Sequence, residues 1–377
     1  MTAAVDIWSS PTTIFAGGIR QLPAALGSRP ALLIADAGLT DAIAATTAVV
    51  PEATVVRVSL DRGADEIAAV VRDAVAAHGS AVPVALGGGS IMDVVRLAAL
   101  AAVDPRADGF AGAVDGLTVL PSRARNPVVC IPSTLGTASE VSPVVVRMNG
   151  SGSGGAAMIV SPGLRSAASI IDPTITAGLS VPAQAAGLVE PLARVCVPAI
   201  SGEPLPFQDG LAAGLTATIL ELGDLVARQA PDDQWRAAAA LASIQTHLAL
   251  TAVGRTPAGH LLWPLATELI RATGASKAVV LAALLPAWLR AIAAGELSPA
   301  WGTGRRVARI LGGSAARAAD RMAAWLRGLG LPTRLPVPPD PEAIADRVVT
   351  VWQATGLFLH GVSRAEISSI VGGLADE

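Results

Sequence analysis

The run Val84-Ala-Leu-Gly-Gly-Gly-Ser-Ile-Met-Asp93 sets three consecutive glycines between a short apolar stretch and a segment whose apolar residues recur at helical spacing. Side chains keep a ligand away from the backbone, and three glycines remove that barrier at a strand-to-helix turn. The first turn of the following helix presents unpaired N–H groups and a partial positive charge, and Ser90 adds a hydroxyl. Gly88, Gly89, Ser90 and the nearby Asp93 therefore become candidates for holding an anion, the diphosphate of a dinucleotide. An ordinary tight turn between strand and helix is the other reading of such glycines.

The surrounding pattern favours the ligand. Strands are expected at Ala31–Ala35, Thr54–Val58, Val82–Leu86 and Val128–Ile131, with helices at Ala64–His78 and Ile91–Ala102 between them. Such alternation is the mark of successive βαβ units around a parallel sheet. The expected class is α/β, with an N-terminal doubly wound, Rossmann-like nucleotide-binding domain over 1–175. The Gly/Ser-rich 149–156 reads as a loop or hairpin tip, and Ile170-Ile-Asp-Pro173 as the last strand of that domain. Beyond residue 176 long Ala/Leu/Arg segments broken at Gly or Pro predict an all-α helical bundle domain over 176–377, with Leu331–Pro341 a loop inside it. A chain of 377 residues agrees with two domains at about 150 residues each.

Composition narrows the function classes. Hydrophobic residues make up 52% and charged residues 15%, yet no apolar stretch runs the roughly 18 residues of a membrane span without Arg, Asp or Pro. Residues 1–15 lack the charged and apolar regions of a secretory signal, so a cytoplasmic protein without membrane association is expected. A net charge of -3 gives no basic footprint for nucleic acid. Cys130 and Cys196 each sit in an apolar run without metal-ligand spacing and read as buried thiols. Of the 27 basic residues only one is lysine, Lys277.

A second motif, Cys130-Ile-Pro-Ser-Thr-Leu-Gly-Thr-Ala-Ser-Glu-Val141, crowds Ser133, Thr134, Thr137 and Ser139 at the end of an apolar run. Together with GGGSxxD at 87–93 it resembles the paired signatures of the iron-containing alcohol dehydrogenase family, within the dehydroquinate-synthase-like superfamily. That family usually shows IPTTxGTGSE here, and this chain departs at Ser133 and Ala138. Phe15-Ala-Gly-Gly18 and Ile171-Asp-Pro173 are similar to two further family elements. The resemblance implies that Asp36 faces the adenosine ribose, where a carboxylate repels a 2′-phosphate and favours NAD over NADP. Arg96 and Ala157 stand where family lysines often reach the cofactor.

The family holds a divalent metal with an Asp, a His four residues later on the same helix, and two later His. Laid on this sequence, the resemblance puts those ligands at Glu190, Arg194, Trp263 and Lys277. Of these only Glu190 could ligate, so the resemblance implies no metal. A shifted site using His260 or His247 is the alternative; His78 and His360 read as helix-end and loop residues.

The sole lysine at a former ligand position suggests either a neutral amine that takes a proton from an alcohol or an ammonium that stabilises an alkoxide. Arg194 either pairs with Glu190 one turn away or forks onto a substrate carboxylate, with Trp263 walling the pocket. The reading that follows is a metal-independent NAD-dependent alcohol dehydrogenase whose substrate is a small molecule or a peptide, such as a β-hydroxy acid that decarboxylates after oxidation. The altered pocket resembles what is expected of the dehydrogenases of daptide-type ribosomal peptide biosynthesis, which act on a C-terminal threonine and would need biosynthetic partner proteins. The family also implies a homodimer. Alternatives are a maleylacetate-reductase-like enzyme and a silent NAD-binding scaffold.

Overall fold

The computed structural model describes residues 12–107, 115–122, 124, 126–148, 156–248, 250–251, 254–255, 260–336, 339–356 and 359–375. One compact unit is formed by the chain up to Leu179 together with Asp232–His247, and a second by Ser180–Pro231 with Leu248–Glu377.

The first unit holds strands β1 (Thr13–Phe15), β2 (Ala31–Asp36), β3 (Thr54–Val58), β4 (Val82–Gly87), β5 (Gly116–Val119), β6 (Val129–Pro132), β7 (Val144–Met148), β8 (Ala156–Val160) and β9 (Ala168–Ile170). Its helices are α1 (Leu22–Leu26), α2 (Thr40–Val49), α3 (Ala64–Ala77), α4 (Gly89–Ala101) and α5 (Pro173–Thr176). Six strands form a parallel sheet in the order β1-β9-β6-β4-β2-β3. β2 and β4 are apolar almost throughout because both faces of the sheet are covered. Successive side chains alternate between faces, so Leu32, Ile34 and Ala85 pack with Ile67 and Val71 of α3 and Met92 and Val95 of α4. Leu33, Val84, Leu86 and Ile131 pack on the other face with Leu22 of α1 and Ile43 of α2. Each fully buried Leu or Ile contributes about 2 kcal/mol of transfer free energy, which fixes the alternation and with it the register.

β5, β8 and β7 form a second, three-stranded sheet that the sequence reading did not anticipate. Val145, Ile159 and Leu120 pack there with Leu100, at the end of α4. Residues 149–155, most of the expected Gly/Ser-rich tip, lie outside the described residues. The last strand also ends earlier than expected. β9 stops at Ile170, because the Asp172 carboxylate accepts the Thr174 N–H at 3.0 Å and opens α5, with Pro173 at its first position.

The helical unit contains α6 (Val181–Ala186), α7 (Val189–Ser201) and α8 (Pro206–Val226). The next helix, α9 (Asp233–Gln245), belongs instead to the first unit, where it packs on α5. A single cut near residue 176 is thereby corrected to a discontinuous division. α10 (Leu262–Thr273), α11 (Lys277–Ala294), α12 (Gly304–Leu311), α13 (Ala315–Gly328), α14 (Pro341–Arg347) and α15 (Arg364–Gly372) complete the second unit. α11 is long and apolar enough to cross a membrane, but more than half of it is buried against its neighbours. It packs on α7, α10, α13 and α15 as the central helix of the bundle.

Two buried carboxylates tie the bundle together. Glu268 of α10, fully buried, accepts from Arg271 at 2.8 Å, Arg347 at 3.0 Å and the Trp352 indole at 2.9 Å. Asp209 of α8 accepts from Arg255 and from both terminal nitrogens of Arg306, which also donates to the Ala199 carbonyl of α7.

Candidate functional site

The connection from β2 runs to β3 on one side, whereas β4 pairs on the other side of β2. In a doubly wound sheet the crevice at such a switch point, at the carboxyl ends of the strands, is where ligands bind. Asp36 ends β2 there and Gly87 ends β4. The Asp36 carboxylate accepts the Gly38 N–H at 3.0 Å, which fixes the turn after the strand.

Gly88 precedes α4 and Gly89 begins it; no side chain caps the helix and no acidic residue lies in its first turn. Its N–H groups are thus left for an anion, with the exposed Ser90 beside them. The hydroxyl-rich loop lies directly against this turn. The Ser133 N–H donates to the Gly87 carbonyl at 2.9 Å. A methyl on Gly88 would come within 3.1 Å of Thr134 Cγ2, and one on Gly89 within 3.1 Å of Thr137 Cγ2 and 3.3 Å of Ser139 Oγ. The two motifs, far apart in sequence, are one structure, and the glycines serve its packing as well as its approach to a ligand.

Ala138 sits in this loop at φ 49°, a left-handed conformation, with its side chain buried. That conformation costs an alanine roughly 1 kcal/mol, and burial of its methyl returns about 0.8 kcal/mol. Ala138→Gly is therefore expected to leave stability within about 1 kcal/mol. Ala138→Val, which adds a branched side chain at the same φ, is expected to cost about 2 kcal/mol or more in denaturant unfolding.

Asp93 and Arg96 have other work. Asp93 accepts from Arg96 Nη2 at 2.5 Å and from the Val146 N–H at 3.1 Å. Arg96, 1% exposed, donates further to the carbonyls of Ser142, Leu164 and Val144. Asp93, expected beside the cofactor, thus fastens α4 onto the second sheet, a task only visible once that sheet exists.

In the helical unit the residues laid onto the family's metal positions converge. Glu190 and Arg194 lie one turn apart on α7, Trp263 on α10 and Lys277 at the start of α11. Glu190 Oε1 accepts from Arg194 Nη2 at 2.6 Å and from Lys277 Nζ at 2.9 Å. Lys277 Nζ also stands over the Trp263 ring, 4.2 Å from its centroid, and the Arg194 guanidinium carbon lies at 5.8 Å. Trp263 therefore serves as a platform for cations in this structure, where the sequence reading made it a wall for substrate. Arg194, buried and bonded to Glu190, takes the ion-pair role of the two left open for it.

His260 joins the cluster, its ring edge-on to Trp263 at 5.9 Å between centroids and 64° between planes. His247 belongs to the other unit. Burial first, then the charges of Arg194 and Lys277, push the His260 imidazole down to about 4. A histidine held neutral contributes stability that is complete above its ordinary value of 6.5 and is lost as pH falls toward about 4, because the unfolded chain takes up the proton first. The expected loss, on the order of 1–3 kcal/mol in unfolding experiments across that window, should be absent in His260→Gln.

The donor set does not suit a divalent cation. Arginine, ammonium and indole have no lone pair to give, and two fixed positive charges oppose a third. Among the described residues no three His, Cys, Asp or Glu side chains converge on a point. Cys130 and Cys196 are both buried, and burial raises each thiol to about 12, so neither is a nucleophile.

A family model for iron-containing alcohol dehydrogenases matches residues 11–173. The phosphonoacetaldehyde reductase of Streptomyces viridochromogenes is 32% identical over 302 residues, 76% of this chain and 74% of that protein. Among solved structures, the NADH-dependent butanol dehydrogenase A of Thermotoga maritima superposes with a TM-score of 0.80 at 19% identity over 99% of each chain. The sulfoacetaldehyde reductase of Bifidobacterium kashiwanohense, solved in complex with NAD+, gives 0.77 at 19% identity over 99% of this chain and 100% of that one. At such identity the structures establish a shared fold, and the sequence relative carries the kinship further. Since both signature loops are present and in contact, and the kinship runs well past them into the helical unit, the chain belongs to the iron-containing alcohol dehydrogenase family and is an oxidoreductase acting on CH–OH groups.

Proposed function

We propose that this protein is a metal-independent, NAD-dependent oxidoreductase for an alcohol–carbonyl pair that bears an anionic group, with the Lys277 ammonium doing what a metal cation does elsewhere in the family. The observation that carries this reading is the seat of Lys277, on the Glu190 carboxylate at 2.9 Å and over the Trp263 face at 4.2 Å. An ammonium donates to a carboxylate and sits over an aromatic face, so of the two roles open to Lys277 that of the ammonium matches this seat. An ammonium has three N–H donors and Glu190 occupies one. A second would hold the substrate oxygen, stabilising an alkoxide during oxidation or giving it a proton after reduction.

Two cations share one carboxylate here, leaving one positive charge in excess beside a neutral imidazole. An anionic substrate is attracted to such an excess of positive charge. The relatives named above include reductases of phosphonoacetaldehyde and sulfoacetaldehyde, each a carbonyl compound with an acid nearby. A β-hydroxy acid, the C-terminal threonine of a peptide included, falls in the same class. Its oxidation leaves a β-keto acid, which loses carbon dioxide to give a ketone.

The first unit fits the cofactor. The open first turn of α4 with Gly88, Gly89 and Ser90 would hold the diphosphate, and the Ser133–Ser139 loop lines the same turn. Asp36 at the end of β2 would bond the adenosine ribose and disfavour a 2′-phosphate. Bound NAD supplies the hydride acceptor or donor.

The test combines metal analysis of the purified protein, NAD+ titration and turnover in the presence of a chelator. NAD+ with hydroxy acids and threonine-ended peptides, and NADH with phosphonoacetaldehyde and sulfoacetaldehyde, are the substrates to try. Turnover that chelation leaves intact is expected. Stoichiometric iron or zinc overturns metal independence, and tight NAD+ binding with no turnover of any of these favours a silent scaffold.

A further inference from the structure

One face of α8 lies open to solvent and carries large apolar side chains. Phe207 is 69% exposed, and Leu211 and Leu225 are exposed with it. With Gly214, Thr218 and Glu221 between them they follow one another in alternating steps of four and three residues, which keeps them on a single stripe down the helix. Gly210 and Gly214 belong to the same open face, and a methyl on either would meet no atom within 4 Å. Glycine is the poorest helix former after proline, and packing within this chain does not require it at these two positions. A backbone left bare in mid-helix points to a surface that comes close from outside.

The stripe is complementary to itself. Reversed about residue 216, it sets Phe207 opposite Leu225, Leu211 opposite the stem of Glu221, and Gly214 opposite Thr218. Two identical helices packed antiparallel about a two-fold axis have this pairing. Charge agrees with it. Arg306 of α12 bonds Asp209 in the first turn of α8, which brings the exposed Arg305 and Arg309 beside the half of α8 that holds Phe207. Among the described residues neither of these two arginines has a carboxylate partner. The exposed Glu221 and Asp224 lie in the other half, next to Leu220, whose carbonyl accepts from Trp325 of α13 at 3.0 Å. Asp209 and Leu220 stand about three turns apart and so on one flank, where Asp224 follows Leu220 by one turn. A two-fold axis keeps that flank on the same side in both copies, so the acidic half of one lies against the basic half of the other. Past the helix ends, the exposed Arg228 of one copy falls opposite the exposed Glu203 of the other. We infer that a second copy of this chain docks here, α8 antiparallel on α8, with Phe207 against the partner's Leu225 and Arg305 and Arg309 on the partner's Glu221 and Asp224.

Sedimentation velocity of the full chain over a range of concentrations tests this, and a monomer–dimer equilibrium is expected. Gly214→Leu blocks the close approach and is expected to raise the dimer dissociation constant about a hundredfold. Circular dichroism should show its helices kept, since the space around Gly214 within one copy is open and leucine is the better helix former. Arg305→Glu combined with Arg309→Glu should weaken the dimer by a similar factor. Adding Glu221→Arg and Asp224→Arg to that chain should restore it, a rescue that a misfolded protein cannot show. A monomer at every concentration overturns the inference and leaves the face to a different protein. A dimer that none of these variants weakens overturns it as well, because the copies then meet by another surface.

Discussion

Lys277→Met lowers kcat by about 10²–10³ while the protein stays folded, the expected result if the ammonium is the group that meets the substrate oxygen. Methionine keeps the length of the stem and removes the donors. Glu190 retains Arg194 as a partner at 2.6 Å, so the substitution does not strand a buried carboxylate. The thermal transition should therefore move little, and steady-state kinetics with the best substrate found gives the reading. A second readout lies in Trp263, whose ring has the ammonium 4.2 Å from its centroid and should change its fluorescence when that charge is removed. Lys277→Arg keeps the charge but spreads it over a planar fork, and partial activity is expected of it. Undiminished turnover in Lys277→Met would remove the lysine from the chemistry.

Asp209→Asn costs about 3–5 kcal/mol of stability, a large effect for a single change in the helical unit. The Asp209 carboxylate, 3% exposed, holds Arg255 and Arg306, and losing its charge leaves two guanidinium groups short of their counter-ion. Burial alone would raise this carboxyl, but the hydrogen bonds and charges of Arg306 and Arg255 overcome it and hold the group at about 2. A depressed carboxyl contributes stability that is fully present above its ordinary value of 3.8 and is lost as pH falls through about 2. Chemical denaturation at neutral pH should show the loss in the variant, and the variant should lack that part of the acid dependence. A change within about 0.5 kcal/mol would mean that the network relaxes onto water.

Much of the nucleotide unit was legible because strand and helix periods are local. Thr54–Val58 is the expected strand without change, and Ala64–His78 differs from α3 only at its cap, where His78 Nδ1 meets the Ala74 carbonyl at 3.0 Å. Local pattern was a poorer guide where one residue decides the outcome. Ile170–Pro173 has the apolar content of a strand, but Asp172 spends its carboxylate on capping α5 and on the Ile19 N–H at 2.9 Å. Asp93 lay in a ligand motif, yet its partners are Arg96 and a strand that the sequence reading did not expect.

The candidate site divides in the same way. The residue types at positions 190, 194, 263 and 277 were enough to argue against a metal, since lone pairs and charges belong to side chains wherever they are placed. Which of them touch could not be had from types alone. The bundle brings α7, α10 and α11 together, and only then does Lys277 lie on Glu190 and Trp263 while His260 becomes a neutral imidazole.

A doubly wound nucleotide unit, a helical partner and the paired glycine and hydroxyl motifs followed from the sequence, because propensity and period are properties of short stretches of chain. Folding in three dimensions decided that α9 returns to the first unit, and that the two motifs pack as one turn. It also decided that the sole lysine sits on a carboxylate and an aromatic face. Contacts between distant segments depend on which apolar faces find each other in the core, and no local pattern carries that information.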